Sequence, residues 1–211
     1  MNQRIIDISL NLAPDTAVWP GDTPFNLRTI MAKQNGDSVN LTTLTISAHT
    51  GTHADAPYHF ADDGQKMDAV DLRPYWGMAQ VVTVSEPSGP LFPTHFSAYD
   101  LYRAPRLLVR TPAASFPVTQ FPDAFPYPSA ELATYFGSLD ILLYGTDAPS
   151  MDDLHSKTLP GHNAMLHNGI AILESLDLSH APDGLYELSA LPLKIVGGDG
   201  SPIRAVLRAI D

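Results

Sequence analysis

Residues 49–59, His-Thr-Gly-Thr-His-Ala-Asp-Ala-Pro-Tyr-His, are the part of the sequence best suited to chemistry. This window holds three of the eight histidines in the chain, together with an aspartate. Neutral imidazole and carboxylate groups are natural ligands of Zn²⁺, Mn²⁺ and Fe²⁺. Ligands from one short segment can converge with little loss of loop entropy. We therefore predict that His49, His53 and Asp55 bind a metal ion.

The spacing of His49 and His53, four residues, also occurs between paired zinc ligands on a helix. A helix is unfavourable here, because residues 50–52, Thr-Gly-Thr, have low helix propensity and a proline follows soon after. We instead expect a tight loop after a strand that ends near Ser47. Extended backbone from His53 to Asp55 then places both side chains on one face.

His59 lies just beyond this group, after Pro57 and between two aromatic residues. Its chemistry leaves three roles open: a further metal ligand, a core histidine, or an acid–base group beside the metal. Imidazole titrates near neutral pH, so it can transfer protons where carboxylates cannot. Local sequence alone does not separate the three roles.

Further ligands must come from elsewhere, because two histidines and one aspartate leave a hydrolytic site incomplete or able to hold a second ion. His162 follows a Pro-Gly turn, and Glu174 ends an apolar strand, where a buried carboxylate needs a partner. A metal-binding role and a plain surface position are equal alternatives for both. The remaining histidines have no comparable setting and are interpreted as structural or surface residues: His95, His155, His167 and His180.

The elements that must position these residues are mostly strands. Runs rich in β-branched and apolar residues predict strands at 5–10, 37–46, 79–84, 107–110, 141–144, 170–173, 193–196 and 203–207. Helices are predicted at 129–136, with Ser129 as N-cap and Gly137 after its end, and at 163–168. Proline-rich stretches at 86–93 and 111–128 are interpreted as ordered loops. The result is an α/β chain with strands in the majority, forming one domain over residues 1–211.

Composition excludes several classes of function. A net charge of -11 argues against a nucleic-acid partner, and only 12 lysines and arginines leave no polybasic stretch for a membrane surface. The chain has no cysteine, so a metal must bind to imidazole and carboxylate. The first ten residues have no apolar h-region and no small-residue cleavage site, so we expect no signal peptide, and no apolar run is long enough to span a membrane. We expect a cytoplasmic enzyme.

Two other enzyme classes lack their motifs. A serine hydrolase would need a Gly-x-Ser-x-Gly nucleophile elbow, which the sequence does not contain. Residues 198–200, Gly-Asp-Gly, are too short for a dinucleotide-binding fingerprint, and no phosphate-loop lysine accompanies them. We interpret them as a tight turn.

At residues 49–59 the chain resembles the bacterial kynurenine formamidases (arylformamidases) of the metal-dependent cyclase family. The hallmark of that family, His-x-Gly-Thr-His-x-Asp-x-Pro-x-His, is met at every fixed position. The resemblance continues at residues 7–9, 18–25, 145–150 and 156–162, and so covers nearly the whole chain. The segment 18–25, Val-Trp-Pro-Gly-Asp-Thr-Pro-Phe, is the part that indicates a formamidase within the family.

The resemblance implies a binuclear zinc site, with two Zn²⁺ per subunit, although the ligand types would also suit Mn²⁺. Its ligands would be His49, His53, Asp55, His162 and Glu174. Asp55 would bridge the two ions. His162 and Glu174 would bind the second ion, and Glu174 could also contact the first. His59 would be the proton donor and acceptor, and Trp19 would contact the aromatic ring of the substrate.

The resemblance also implies a fold and a reaction. The fold would be a single compact α/β domain of the swivelling β/α type, with a β-rich core and a few short helices, and the assembly a homodimer. The reaction would be hydrolysis of N-formyl-L-kynurenine to L-kynurenine and formate in tryptophan degradation, by a hydroxide held between the metal ions. Further aromatic residues could line the substrate pocket: Phe25, Tyr58, Phe60 and Trp76.

Two rival functions stand beside this one. The first is a related ring-opening hydrolase, such as an isatin hydrolase, with similar metals and a different pocket. The second is a metal-binding or interaction domain without catalytic activity, which would bind metal and hydrolyse nothing.

Overall fold

The structure is a computed structural model and describes residues 5–210, so residues 1–4 and 211 of the expected domain lie outside it. Two α-helices occur in the described range, α1 (Ala130–Ser138) and α2 (Pro160–His167). The strands are β1 (Ile5–Asp7), β2 (Asn26–Met31), β3 (Leu41–Thr45), β4 (His53–Asp55), β5 (Trp76–Thr83), β6 (Gly89–Leu91), β7 (Arg106–Arg110), β8 (Pro126–Pro128), β9 (Leu143–Thr146), β10 (Ala171–Glu174), β11 (Gly184–Ser189), β12 (Gly200–Pro202) and β13 (Val206–Ala209). The predicted α/β class with a β-rich core is confirmed.

Nine of the strands form one mixed sheet in the order β1-β13-β11-β5-β7-β9-β10-β4-β12. The four strands β5, β7, β9 and β10 run parallel to one another. Antiparallel strands extend the sheet on both sides, with β11 next to β5 and β4 next to β10. The strand that carries His53 and Asp55 is therefore paired with the strand that carries Glu174.

Side chains alternate between the two faces of the sheet, as the strand period of two requires. On β7, Leu107 and Val109 pack with Phe136 of α1 and Met165 of α2. Leu108, between them, belongs to the core cluster on the opposite face. Both helices therefore cover the same face of the sheet.

The opposite face is enclosed because the sheet curls. Ala54 of β4 and Leu207 of β13 belong to one buried cluster, although six steps of the strand order separate their strands. Ile8 links these two sides: its N–H donates to the carbonyl of Ala205 at 3.0 Å, and its carbonyl accepts from the N–H of Asp177 at 2.9 Å. The curl leaves the carboxyl ends of β7, β9 and β10 at one opening of the sheet.

Several strand predictions need correction. Residues 193–196 form a turn instead of a strand, in which the Ile195 N–H donates to the carbonyl of Leu193. The predicted strand at 203–207 is displaced, because β12 ends at Pro202 and β13 begins at Val206. The strand predicted at 37–46 is shorter in the structure and forms only β3. Its side chains are exposed instead of half-buried, because β2 and β3 form a separate two-stranded sheet. Strands β2, β6, β8, β11 and β12 were not predicted, and β6 and β8 lie in proline-rich stretches that we expected to be loops.

The helices follow the sequence signals more closely. Ser129 caps α1, its hydroxyl oxygen accepting from the Leu132 N–H at 3.1 Å. Gly137 lies inside α1 instead of after its end. A Cβ at this position would approach the Asn168 side-chain oxygen to 2.4 Å, so glycine lets α1 pack against the end of α2. Neither helix in the described part of the chain has the length and apolar character needed to cross a membrane.

Buried Arg106, at the start of β7, holds the 3₁₀ turn at residues 73–75 and the start of β5. Its guanidinium donates to the carbonyl oxygens of Arg73 (2.5 Å), Pro74 (2.6 Å) and Met78 (3.1 Å). We expect Arg106→Met to lower the free energy of unfolding by about 3 kcal/mol, because three carbonyls lose a charged donor. Urea denaturation measures this change. Arg73→Met is the matched control: its side chain is exposed, so a loss as large as that of Arg106→Met would contradict the interpretation.

Candidate metal centre

The loop before β4 turns at Gly51, whose φ of 64° lies in the left-handed region. A Cβ on Gly51 would also lie 2.7 Å from Leu12 Cδ2, so both conformation and packing favour glycine. The chain then enters β4, where His53 and Asp55 are two residues apart in extended backbone and point to one face. The local geometry expected from the sequence is therefore present.

Strand pairing brings Glu174 to this face. In the register of β10 with β4, Glu174 lies opposite His53. Glu174 Oε2 is 3.3 Å from His53 Nε2, and Glu174 Oε1 accepts from the Met151 N–H at 2.9 Å. The Glu174 side chain is buried, as expected for the end of an apolar strand.

The start of α2 brings His162. The carboxylate of Asp152 accepts from the N–H groups of Gly161 (2.7 Å) and His162 (3.0 Å), two of the first-turn donors that a helix leaves unpaired. The same carboxylate lies 2.7 Å from His162 Nδ1. One acidic side chain thus fixes the beginning of the helix and turns the other ring nitrogen, Nε2, toward Asp55 and Glu174.

The five predicted ligands meet in one place. Asp55 Oδ1 is 3.0 Å from His49 Nδ1 and 3.4 Å from His53 Nε2, and Asp55 Oδ2 is 3.5 Å from His162 Nε2. Glu174 Oε1 is 3.4 Å from His162 Nε2. Four ligands around a tetrahedral zinc ion at its usual bond lengths are roughly 3.3 Å apart. The separations therefore suit a bound cation.

The donor atoms divide into two groups that share Asp55. One group is His49, His53 and Asp55, and the other is Asp55, His162 and Glu174. Asp55 directs one oxygen to each group, and its Oδ2 atom is buried without a hydrogen-bond partner. A buried carboxylate oxygen without a donor is costly, and a cation would satisfy it. The residues present fit two metal ions.

The charges of these side chains also favour a cation at this place. Burial opposes the charged form of His53, but hydrogen bonds to Asp55 and Glu174 outweigh it and raise the pKa of His53 to about 10. Burial also opposes ionisation of Asp55, yet the surrounding histidines hold the pKa of Asp55 well below its usual range. The buried carboxylates therefore require positive charge, from protons or from metal. Because a metal must displace those protons, metal binding should strengthen as the pH rises.

His59 lies at the end of a short 3₁₀ turn (Pro57–His59) beside the two groups. Its ring centroid lies 4.0 Å from that of His49, with the two ring planes tilted by 34°, and its Nδ1 atom is 3.3 Å from Asp199 Oδ2. Asp199 Oδ2 is also 3.0 Å from His49 Nε2. His49, His59 and Asp199 thus form a third set of neighbouring donor atoms at the edge of the site.

A cavity of about 620 Å³ opens above these residues. Trp19, Phe116 and Phe121 contribute aromatic side chains to its wall. The Trp19 and Phe121 rings are in edge-to-face contact, with centroids 5.3 Å apart. The Ala17 N–H donates to the Val118 carbonyl at 2.8 Å and holds the two loops together. The cavity can accept an aromatic molecule with one end at the candidate ligands.

The four other aromatic residues considered from the sequence do not line this cavity. Phe25 is buried, and the Tyr58 ring lies 4.7 Å from the Lys66 ammonium. The Phe60 ring packs 5.1 Å from the His162 ring, and the Trp76 indole N–H donates to Glu187. The cavity wall is instead formed by Phe116 and Phe121. Both belong to the proline-rich stretch 111–128, which the sequence indicated only as a loop.

Sequence reasoning missed Asp152 and Asp199. Asp152 lies two residues after the segment 145–150 used for the family resemblance, and an aspartate shortly before Pro-Gly-His was an available signal for a helix cap. Asp199 was interpreted only as the middle of a tight turn. The structure instead has the hydrogen-bonded turn at residues 195–198, with the Gly198 N–H donating to the Ile195 carbonyl at 3.1 Å. Asp199 follows it directly before β12, and its carboxylate faces two histidines.

Asp147 is a buried carboxyl group at the wall of the cavity, just after β9. Thr111 donates to it from its N–H (2.7 Å) and its hydroxyl (2.6 Å). Burial is only partly offset by these hydrogen bonds and raises the pKa of Asp147 to about 7. The folded protein therefore retains a proton on Asp147 at pH values where the unfolded chain has lost it.

We compare the free energy of unfolding of Asp147→Asn with that of the native protein. As the pH rises from about 5 to about 8, we expect the variant to become more stable relative to the native protein. The raised folded-state pKa makes native stability fall across this window, whereas asparagine does not titrate. The difference in free energy of unfolding should shift toward the variant by on the order of 2 kcal/mol. Urea denaturation of both metal-loaded proteins at the two pH values measures it. A difference that does not change with pH would contradict the raised pKa.

We expect Asp152→Asn to weaken metal binding about 10- to 100-fold, because a carboxylate that orients a metal-ligating histidine typically contributes this much. Competition with a chromophoric chelator measures the affinity. Asp153→Asn is the matched control, since the Asp153 carboxylate accepts from the His155 N–H and from no candidate ligand. Unchanged affinity in Asp152→Asn, or equal losses in both variants, would refute the role given to Asp152.

Comparison with known proteins places the chain in a family. Residues 6–153 match the Cyclase family model. The chain is 45% identical over 203 residues to a kynurenine formamidase of Geobacillus thermodenitrificans, covering 96% of each, and 43% identical over 205 residues to one of Bacillus mycoides, covering 97% of each. Among solved structures, isatin hydrolase A from Labrenzia aggregata superimposes with a TM-score of 0.83 at 25% identity, covering 99% of this chain and 94% of that one. The chain therefore belongs to the cyclase family.

Proposed function

We propose that this chain is a metal-dependent amide hydrolase that converts N-formyl-L-kynurenine and water to L-kynurenine and formate. One observation carries the proposal: five predicted metal ligands converge below an aromatic cavity, with His59 beside them. The kynurenine formamidases that match almost the whole chain support this substrate.

We propose two zinc ions as the cofactor. His49, His53 and Asp55 would hold one, and Asp55, His162 and Glu174 the other. Bound there, the ions would lower the pKa of the attacking water and polarise the formyl carbonyl. The buried, unpaired Oδ2 atom of Asp55 supports occupation by cations. Mn²⁺ remains compatible with this set of ligands.

The side chains of the protein would do the remaining work. N-formylkynurenine is a formanilide, and Trp19 would pack against its aromatic ring. His59 would take a proton from the attacking water and give it to the aniline nitrogen. As the carbon–nitrogen bond breaks, the nitrogen keeps the bonding pair, and the formyl carbon leaves as formate with the oxygen of the water.

A homodimer is proposed as the assembly. The β2–β3 ribbon forms its own two-stranded sheet and exposes apolar side chains, which are Leu27, Ile30, Leu41 and Leu44. Exposed apolar surfaces of this kind often mark protein contacts, and a second copy of the chain would cover this one. The cytoplasmic location, and the absence of nucleic-acid and membrane partners, stay predictions from the sequence.

Isatin hydrolysis is the second candidate, favoured by the solved isatin hydrolases that share the fold. Both substrates are aromatic and would be attacked at a carbonyl carbon whose amide nitrogen is attached to the benzene ring. They differ in shape, since isatin is a fused ring and N-formylkynurenine carries an extended amino-acid chain. The identity to the kynurenine formamidases, 45% and 43%, favours the formamide.

We expect the metal-loaded protein to hydrolyse N-formyl-L-kynurenine, and His59→Ala to lower kcat by about 10²- to 10⁴-fold while its metal content is unchanged. Product absorbance and metal analysis provide the two measurements. His180→Ala, at an exposed histidine that is neither a candidate ligand nor part of the cavity wall, is the control and should be fully active. Full activity after complete chelation would contradict a metal-dependent reaction. Faster turnover of isatin than of N-formyl-L-kynurenine would favour the second candidate.

A further inference from the structure

The 197–200 turn holds Asp199 against the site through several backbone contacts. The Ala56 N–H donates to the Asp199 carbonyl at 2.9 Å, and the Met67 N–H donates to the Gly198 carbonyl at 2.8 Å. The Gly197 N–H donates to the Asp68 carboxylate at 2.9 Å. These bonds fasten the turn to the chain on both sides of His59, so its carboxylate is held by fixed backbone.

The turn also passes directly behind His49. A Cβ on Gly200 would lie 2.6 Å from Cε1 of the His49 ring, so only glycine allows the backbone this close. His49 is thereby placed between two carboxylates, with Nδ1 at 3.0 Å from Asp55 and Nε2 at 3.0 Å from Asp199. Its orientation is fixed from both sides.

The same oxygen of Asp199 reaches the second histidine. Asp199 Oδ2 lies 3.3 Å from His59 Nδ1, while the His59 ring lines the cavity. A hydrogen bond donated by Nδ1 to this carboxylate leaves Nε2 as the nitrogen available for proton exchange in the cavity. A carboxylate that fixes the tautomer and orientation of a histidine in this manner is the third member of catalytic triads.

We propose that Asp199 is the positioning residue for His59: it accepts the Nδ1 proton, directs Nε2 toward the leaving nitrogen, and links this histidine to His49. The inference rests on the proposed formanilide hydrolysis. In that reaction His59 Nε2 delivers the proton that the aniline nitrogen gains as the carbon–nitrogen bond breaks. Asp199 itself neither gains nor loses a bond to the substrate.

The dependence of rate on the leaving group tests this role. 4-Nitroformanilide releases a weakly basic aniline that needs little protonation, whereas 4-methoxyformanilide releases one that depends on the proton donor. We expect Asp199→Ala to lower kcat about 100-fold for the methoxy substrate and only about tenfold for the nitro substrate, which loses help with the proton of the water but needs little protonation of its leaving group. KM should change little for either. Asp199→Asn, which retains an acceptor oxygen, should restore part of the loss.

Asp68→Ala is the matched control, because Asp68 supports the same turn through the Gly197 N–H and touches no histidine. It should leave the ratio of the two rates as in the native protein. Equal losses on both substrates in Asp199→Ala, or the same change of ratio in Asp68→Ala, would overturn the proposal. If the native protein hydrolyses neither formanilide, the proposed function itself fails.

A second measurement does not require turnover. In zinc-loaded protein with ¹⁵N-labelled histidine, NMR should show the proton of neutral His59 on Nδ1 in the native protein and mainly on Nε2 in Asp199→Ala. An Nε2 proton in the native protein would overturn the proposal. Metal analysis provides the final check: loss of one bound ion in Asp199→Ala would make Asp199 a ligand instead of a positioning residue.

Discussion

Two buried carboxylates below the cavity, Asp55 and Glu174, are the constraint on which the rest of the site depends. Isolated anions in such a place would be costly, so positive charge must be brought to them. The structure does this with imidazoles from three separate segments, the loop before β4, β4 itself and the start of α2. A site of this kind is stable with either protons or metal ions, and the two compete for the same atoms.

A second layer of acidic residues keeps the imidazoles in place. Asp152 binds His162 and the first turn of α2 together, and Asp199 binds His49 and His59 together. Asp152 contacts the His162 nitrogen opposite the one near Asp55 and Glu174, and Asp199 contacts one ring nitrogen of each of the other two histidines. The remaining nitrogen of each ring is then available for a metal or a proton.

The curled sheet explains why these residues meet although they are distant in sequence. The central parallel strands end at one opening, and the antiparallel strand β4 returns beside β10 at that edge. The loops that follow β7 and β9 supply Phe116 and Asp147 to the cavity above. Chemistry on connecting loops over a rigid sheet is a common solution in α/β proteins, because the frame can stay fixed while the loops vary.

The sequence by itself determined the local part of the site. His49, His53 and Asp55 were found because their spacing is short, Gly51 permits the turn, and strand geometry puts alternate residues on one face. Glu174 and His162 were candidates from their settings in the sequence and from the family resemblance, and only the tertiary structure shows that they lie beside this segment. The register of β10 on β4 selected Glu174, and the approach of the 197–200 turn selected Asp199. Such contacts depend on pairing between remote strands, which leaves no periodic signal in the chain.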